Sequence, residues 1–229
     1  MVLSAAELSA LLLSLKIGFV AATFSLPFAI AFALLLARVA FTGRWIVDAV
    51  LRLPLVLPPV VIGYLLLIAF GRNGVIGSAL LSCCDISFSF RWTGAALASA
   101  IMAFPLMVRA MRLSIEAIDR RLEASAATLG ANPVFVFLTI TLPLSAPGLL
   151  AAYILGFAKA LGEFGATITF VSNIPGETQS LPLAIYSAMQ MPDGDPLVIR
   201  LALMSIFISV IAIGGSEWIA SRMRKRGPA

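Results

Sequence analysis

Apolar residues fall in runs of about twenty along this chain, and polar residues gather in clusters between the runs. A helix of about 20 apolar residues crosses roughly 30 Å of hydrocarbon. Spans are predicted at approximately Ala10–Val39, Leu53–Phe70, Thr93–Met111, Leu144–Phe164 and Pro196–Ile219. A transmembrane barrel would alternate apolar and polar residues in segments of about ten, and these runs do not alternate. The fold class is therefore all-α, a polytopic transmembrane helical bundle of about five spans in one domain over residues 1–229.

The longest polar interruption runs from about Arg109 to Leu142 and carries Arg112, Glu116, Asp119, Arg120, Arg121 and Glu123. Within it Ile115, Ile118, Leu122, Ala126 and Leu129 recur at helical spacing and predict one apolar stripe. Ala124, Ser125, Ala126 and Ala127 form a patch of small residues that permits close packing. Gly130 can take a positive φ and stop the helix. Asn132-Pro133 suits the cap and first position of a second short helix. The pattern predicts helix, tight turn, helix over about 112–143, either as a hairpin on the membrane surface or as a contact for a soluble partner.

Prolines mark further breaks. Leu53-Pro54 and Leu57-Pro58-Pro59 remove helical hydrogen bonds at the start of the second span, and broken helices at membrane depth are tolerated only against protein or a cavity. Gly71-Arg72-Asn73-Gly74 reads as a turn. In the long segment 171–196, Leu183, Ile185, Tyr186 and Met189 predict a short amphipathic helix, which either seals the bundle or docks a soluble partner.

Composition sharpens the class: 61% of residues are hydrophobic and 12% charged, against about 45–50% and 25% in soluble domains. The net charge of +5 does not point to nucleic acid, because the basic residues sit at the ends of the apolar runs, with Arg222, Arg224, Lys225 and Arg226 near the C-terminus. That distribution marks topology against anionic lipid and predicts an outside N-terminus and a cytoplasmic C-terminus. The first apolar run is longer than a signal-peptide core and is read as a retained span. There is no histidine and no metal-ligand spacing. Cys83 and Cys84 are adjacent, and neighbouring Cα atoms about 3.8 Å apart fall below the usual disulfide range. They read as small hydrophobes in a loop, with an intermolecular disulfide as the alternative.

Charges inside the apolar runs are costly and face a bundle interior or a watery path. Lys159 and Glu163 stand four apart on the fourth span and share a face. They form either an intrahelical ion pair or part of an oxyanion path, in which Lys159 attracts a dianion and Glu163 orients it or pairs across a dimer. Thr167, Thr169 and Ser172 are candidates to line an exit. Lys16 is read as snorkelling.

Gly130, nine residues, and then Ile140-Thr141-Leu142-Pro143 resembles the "EAA" loop of ABC importer permeases. In that family the loop forms a coupling helix seated in a cleft of the ATP-binding subunit. The family's Glu, six before the Gly, falls on Ala124 here, with Glu123 one position early, and its two alanines fall on Ser125 and Ala126. The runs Leu53–Tyr64, Gly162–Val171 and Asn173–Thr178 resemble the permease subunits of molybdate importers, with sulfate and tungstate permeases as close relatives. The resemblance implies the type I permease fold and a coupling loop carried by Glu123, Ala124, Ser125, Ala126, Gly130, Ile140, Leu142 and Pro143. It also implies a second permease copy, two ATP-binding subunits that hold ATP and Mg, and a periplasmic or lipoprotein molybdate-binding protein. The chain would bind no cofactor and catalyse nothing, and no G-x-x-x-x-G-K-[ST] phosphate loop is present. The rival class is a gradient-driven anion carrier, which should carry an inverted repeat that this chain does not display. A membrane enzyme lacks a nucleophile–base set here.

Overall fold

The computed structural model describes residues 4–226, with the side chains of 213 and 216–226 outside the description. The basic side chains of Arg222, Arg224, Lys225 and Arg226 therefore lie outside the described ones. The described regular elements are all helical. In chain order they are α1 (Ala5–Arg38), α2 (Arg44–Val56), α3 (Pro59–Phe70), α4 (Val75–Cys84), α5 (Trp92–Glu116), α6 (Arg120–Thr128) and α7 (Pro133–Val136). A π-helical stretch at Phe137–Thr141 follows, then α8 (Leu142–Leu144), α9 (Ala146–Leu161), α10 (Gly165–Val171), α11 (Leu181–Met189) and α12 (Asp195–Arg226).

α1, α5 and α9 pack on one another and form the centre. Small residues make this possible. Gly148, Ala152, Gly156 and Ala160 recur every four residues and are the buried face of α9; a Cβ at Gly148 would collide with Ser114, and one at Gly156 with Met107. Between helices in lipid, such small-residue faces permit the close backbone approach that dispersion needs. Two apolar clusters divide the bundle lengthwise. Ile17, Ile62, Leu66 and Phe170 lie near the N-terminal ends of α1 and α5. Leu36, Met107, Met111 and Ile115 lie near the end that carries α6 and α7, the hairpin end. α10 slots between α3 and α5. α12 rests on α9 and α11 and is joined to α1 by an Arg200–Glu7 ion pair at 3.2 Å.

Among the described residues, three helices are long and apolar enough to cross a membrane alone, and counting each of two bent pairs as one span gives up to five. The predicted spans are thus present, but two are not straight. The second is α2 and α3, bent by 110°. Pro54 lies inside α2, and the chain breaks at Leu57-Pro58, because Pro58 has no N–H to continue the helix. The fourth is bent by 70° where α8 meets α9. Pro143 and Pro147 withdraw donors on either side of Ser145, and the π turn closes instead through Leu142 N–H to Phe137 O. The first helix starts five residues earlier than predicted because Ser4 and Glu7 form a capping box: Glu7 N donates to Ser4 Oγ at 3.2 Å and Ser4 N to Glu7 Oε2 at 2.7 Å.

Two smaller expectations are corrected, and Lys16 gains a partner. Cys83 and Cys84 are exposed in the last turn of α4, not in a loop. Leu183, Ile185, Tyr186 and Met189 do not share one face of α11. Leu183 is fully buried while Tyr186 and Met189 are exposed, and Leu181 N donates to Ser14 Oγ of α1 at 2.6 Å. α11 therefore seals against α1 on one side. Lys16 is placed over the Trp92 ring, 3.6 Å from its centroid, and makes a cation–π contact.

Candidate functional site

The hairpin is built by three capping devices in succession. α5 ends at Glu116, and Asp119 starts α6 by accepting a hydrogen bond from Arg121 N at 2.9 Å. The predicted continuous stripe is therefore split: Ile115 is buried at the end of α5, while Leu122 on α6 and Leu129 just after it are exposed. α6 closes in a Schellman motif, with Ala131 N donating to Ala126 O at 3.1 Å and Gly130 N to Ala127 O at 3.0 Å. Gly130 holds φ +85°, a left-handed value that disfavours any side chain. Asn132 Oδ1 then accepts from Phe135 N at 2.7 Å, and Pro133 opens α7.

Glu123 ties this hairpin to the bundle. Arg38, the last residue of α1, donates to its carboxylate through Nη2 at 3.0 Å, and Thr141 Oγ1 donates to it at 2.7 Å. The pair is mostly shielded, with side-chain exposures of 16% and 20%. Arg120 Nη2 donates to Ala37 O at 2.8 Å, which satisfies one of the carbonyls left open at the end of α1. Behind these contacts is a cavity of about 360 Å³ lined by Leu34, Arg38, Glu123, Phe137 and Thr141.

Outward, the hairpin presents Leu122, Leu129, Val134, Phe135 and Leu138, with Leu129 89% exposed. Of the residues predicted for the coupling loop, Ala124, Ser125, Gly130 and Pro143 are exposed, and Ala126, Ile140 and Leu142 are half-buried. Glu123 faces the bundle instead. The surface can dock against another protein but holds no acid–base or nucleophilic set. Sequence reasoning missed Arg38 and Thr141; the single hint was a basic residue at the predicted end of the first span.

The predicted path residues lie near the opposite end. α9 stops at Leu161, so Glu163 sits in the turn before α10 and not on the span itself. Its Oε2 accepts from Lys159 Nζ at 2.8 Å and its Oε1 from Ala166 N at 3.1 Å, so it caps α10. Glu163 is buried, while the Lys159 side chain keeps 31% exposure. Thr167 is interior, with its hydroxyl donating to Phe164 O at 2.8 Å, and Thr169 Oγ1 donates to Gly165 O at 2.9 Å. Ser172 is exposed with φ +64°. A nearby cavity of about 430 Å³ is lined by Gly162, Phe164, Tyr186, Ser205 and Ser209, and none of the four predicted path residues lines it. Lys159 and Glu163 are brought together; Thr167 and Thr169 are not joined to them in one opening.

Residues 25–225 match the pattern of the "Binding-protein-dependent transport system inner membrane component" family. The chain belongs to that family. It is 57% identical over 220 residues to the molybdenum transport system permease protein ModB of Haemophilus influenzae, covering 96% of each chain. It is 54% identical to ModB of Escherichia coli K12, covering 99% of each. The sulfate permease CysW of Synechococcus elongatus is 37% identical, covering 78% of this chain and 62% of that one. In fold, the inward-facing MetNI methionine ABC transporter matches with a TM-score of 0.75 at 16% identity, covering 96% of this chain and 99% of that one. A bacterial alginate ABC transporter in complex with an alginate-pentasaccharide-bound periplasmic protein matches with a TM-score of 0.76 at 17% identity, covering 98% and 82%. The chain is thus a multi-pass membrane subunit of an ABC importer, with the type I permease fold. It is a transport subunit rather than an enzyme, and ATP hydrolysis belongs to a separate subunit.

Proposed function

We propose that this chain forms the membrane path of a molybdate importer that works by alternating access. The observation that carries the substrate is the gradient of similarity. Near full-length identity is 54% and 57% to the molybdenum permeases of E. coli and H. influenzae, against 37% and 33% to two sulfate permeases. The proposed assembly has two copies of this chain, two ATP-binding subunits that carry ATP and Mg, and a periplasmic or lipoprotein binding protein that delivers the anion. The N-terminus would lie outside and the C-terminus in the cytoplasm, so the hairpin end faces the ATP-binding subunits.

In this reading the exposed face of α6, with Ala124 and Ser125, and the Gly130 turn after it enter a cleft of the ATP-binding subunit. Ile140, Leu142 and Pro143 carry its movement through the bent α8–α9 junction into the span. Glu123 is the tether that makes hairpin and α1 move together, a role supported by its bonds to Arg38 and Thr141. The oxyanion path is assigned to the turn after α9. There Lys159 supplies positive charge, Glu163 orients it, and Thr167 and Thr169 stiffen the turn through their backbone bonds.

The test is the ATPase activity of the complex that co-purifies with this chain, reconstituted with the binding protein and titrated with molybdate, tungstate and sulfate. Stimulation by molybdate is the expected result. Stimulation by sulfate alone overturns the substrate, and the absence of any co-purifying ATPase overturns the assembly.

A further inference from the structure

The seam between α1, α2 and α5 carries a feature that coupling and transport leave unused. Leu97, Ile101, Phe104, Val108 and Arg112 recur every three or four residues and share one face of α5. That face meets α2 at two adjoining cavities. One, of about 70 Å³, is lined by Asp48, Arg52, Arg109 and Arg112, with Leu51 in its wall. The other, of about 330 Å³, is lined by Phe24, Phe28, Phe32 and Phe104, again with Leu51 in its wall. A third cavity of about 220 Å³ shares Phe24 and Leu97 with it and extends the groove to Trp92.

The charges at the narrow end do not balance. Asp48 pairs with Arg52 at 2.7 Å and with Arg112 at 3.4 Å; Glu116 pairs with Arg112 at 2.7 Å and with Arg44 at 3.8 Å. Four guanidiniums thus face two carboxylates, and no carboxylate among the described residues pairs with Arg109. The placement fits a membrane boundary. From Trp92 to Arg112, α5 rises about 30 Å at 1.5 Å per residue, one hydrocarbon thickness. Between Val20 and Phe32, α1 covers about 18 Å of groove, slightly more than one leaflet of that core. α2 has no buried residue and bends 110° away from α3. With Trp45, Ile46 and Val50 exposed, it has the composition of an interfacial arm leading into the bent second span.

We propose that this seam holds one anionic glycerophospholipid, its phosphate among Arg52, Arg109 and Arg112 and one acyl chain along the phenylalanine groove. Guanidinium forks match phosphate oxygens and offset the excess charge. The groove supplies what a soluble oxyanion cannot use, and the free cation supplies what a neutral lipid cannot use. The proposal rests on the orientation given above only for the leaflet, the inner one, from which the lipid comes.

Native mass spectrometry of the purified transporter, incubated with equal amounts of phosphatidylglycerol and phosphatidylcholine, tests it without regard to leaflet. The wild-type complex should retain phosphatidylglycerol preferentially. Arg109→Gln, which breaks no ion pair among the described residues, should weaken that retention about fivefold, the factor for roughly 1 kcal/mol per basic residue at an anionic surface. Phe28→Ala, at an exposed ring, should lower retention of both lipids. Equal retention of the two lipids, or indifference to Arg109→Gln, overturns the proposal. So does displacement of phosphatidylglycerol by millimolar molybdate or phosphate with no effect of Phe28→Ala, which would make the site one for soluble oxyanions. Crosslinking from a photoreactive residue at position 28 to a second copy of this chain instead of to lipid overturns it as well.

Discussion

Glu123 at the hairpin end and Glu163 at the opposite end are both shielded carboxylates paired with a cation, but they are held in different ways. Glu123 reaches Arg38 across 85 residues of sequence and Thr141 across 18. Glu163 takes Lys159 four residues before it and a backbone N–H three residues after it. The first arrangement joins three elements that have to keep their spacing if the hairpin is to move with the bundle. The second is closed within a short stretch of chain that joins the end of α9 to the start of α10, so the other helices can shift without breaking it. A coupling element benefits from long-range ties, and a turn beside a path benefits from being self-contained.

The largest effect should come from Gly130→Trp. Nothing lies within 4 Å of a Cβ there, so the chain suffers only left-handed strain of roughly 1–2 kcal/mol. The indole would stand where the partner docks, and a docking loss of about 1.4 kcal/mol already means a tenfold drop. Import by reconstituted complexes should fall at least that far while the purified chain still folds. Unimpaired import would remove the hairpin from the coupling route. Next is Glu123→Ala, which leaves Arg38 shielded without its carboxylate and should cost about 2 kcal/mol in thermal inactivation of the complex. A double-mutant cycle with Arg38→Met should return a coupling of about 1 kcal/mol or more; a value near zero would reduce the tether to a coincidence of packing.

At the opposite end, Lys159→Ala should lower molybdate import several-fold with little loss of assembled complex, because its side chain is partly exposed and Glu163 keeps its bond to Ala166. Parallel loss of complex and import would make the pair purely structural. The smallest effect belongs to Ser172→Gly. Ser172 holds φ +64° and ψ −163°, a region that costs a side-chain-bearing residue about 1 kcal/mol or more. Glycine should raise the melting temperature of the complex by a degree or two, offset in part by its greater freedom in the unfolded chain. A lower melting temperature would show that the serine side chain is needed there.

Legibility followed the range of each interaction. The turn at Gly130, the cap at Asn132 and the Lys159–Glu163 pair were readable because every partner lies within a few residues. The split of the stripe at Ala117–Asp119 was missed because apolar spacing continued through it; the signal was Asp119, a residue suited to start a helix. Thr167 and Thr169 looked like polar lining, but in lipid a hydroxyl with no water nearby turns to its own helix carbonyls.

The sequence alone determined that the chain is a helical membrane bundle, roughly where its spans lie, and where a Gly-closed hairpin interrupts them. These follow from hydrocarbon thickness, helical period and the backbone limits of proline and glycine, all of which act locally. Only the tertiary structure decided the 110° and 70° bends, the choice of Arg38 and Thr141 as partners of Glu123, and the meeting of an arginine cluster with a phenylalanine groove. A proline removes a hydrogen bond but does not set the angle of the break, and a carboxylate attracts any cation. Angle and partner are settled by how the helices pack on one another, α3 chiefly on α10 and α9 on α1 and α5.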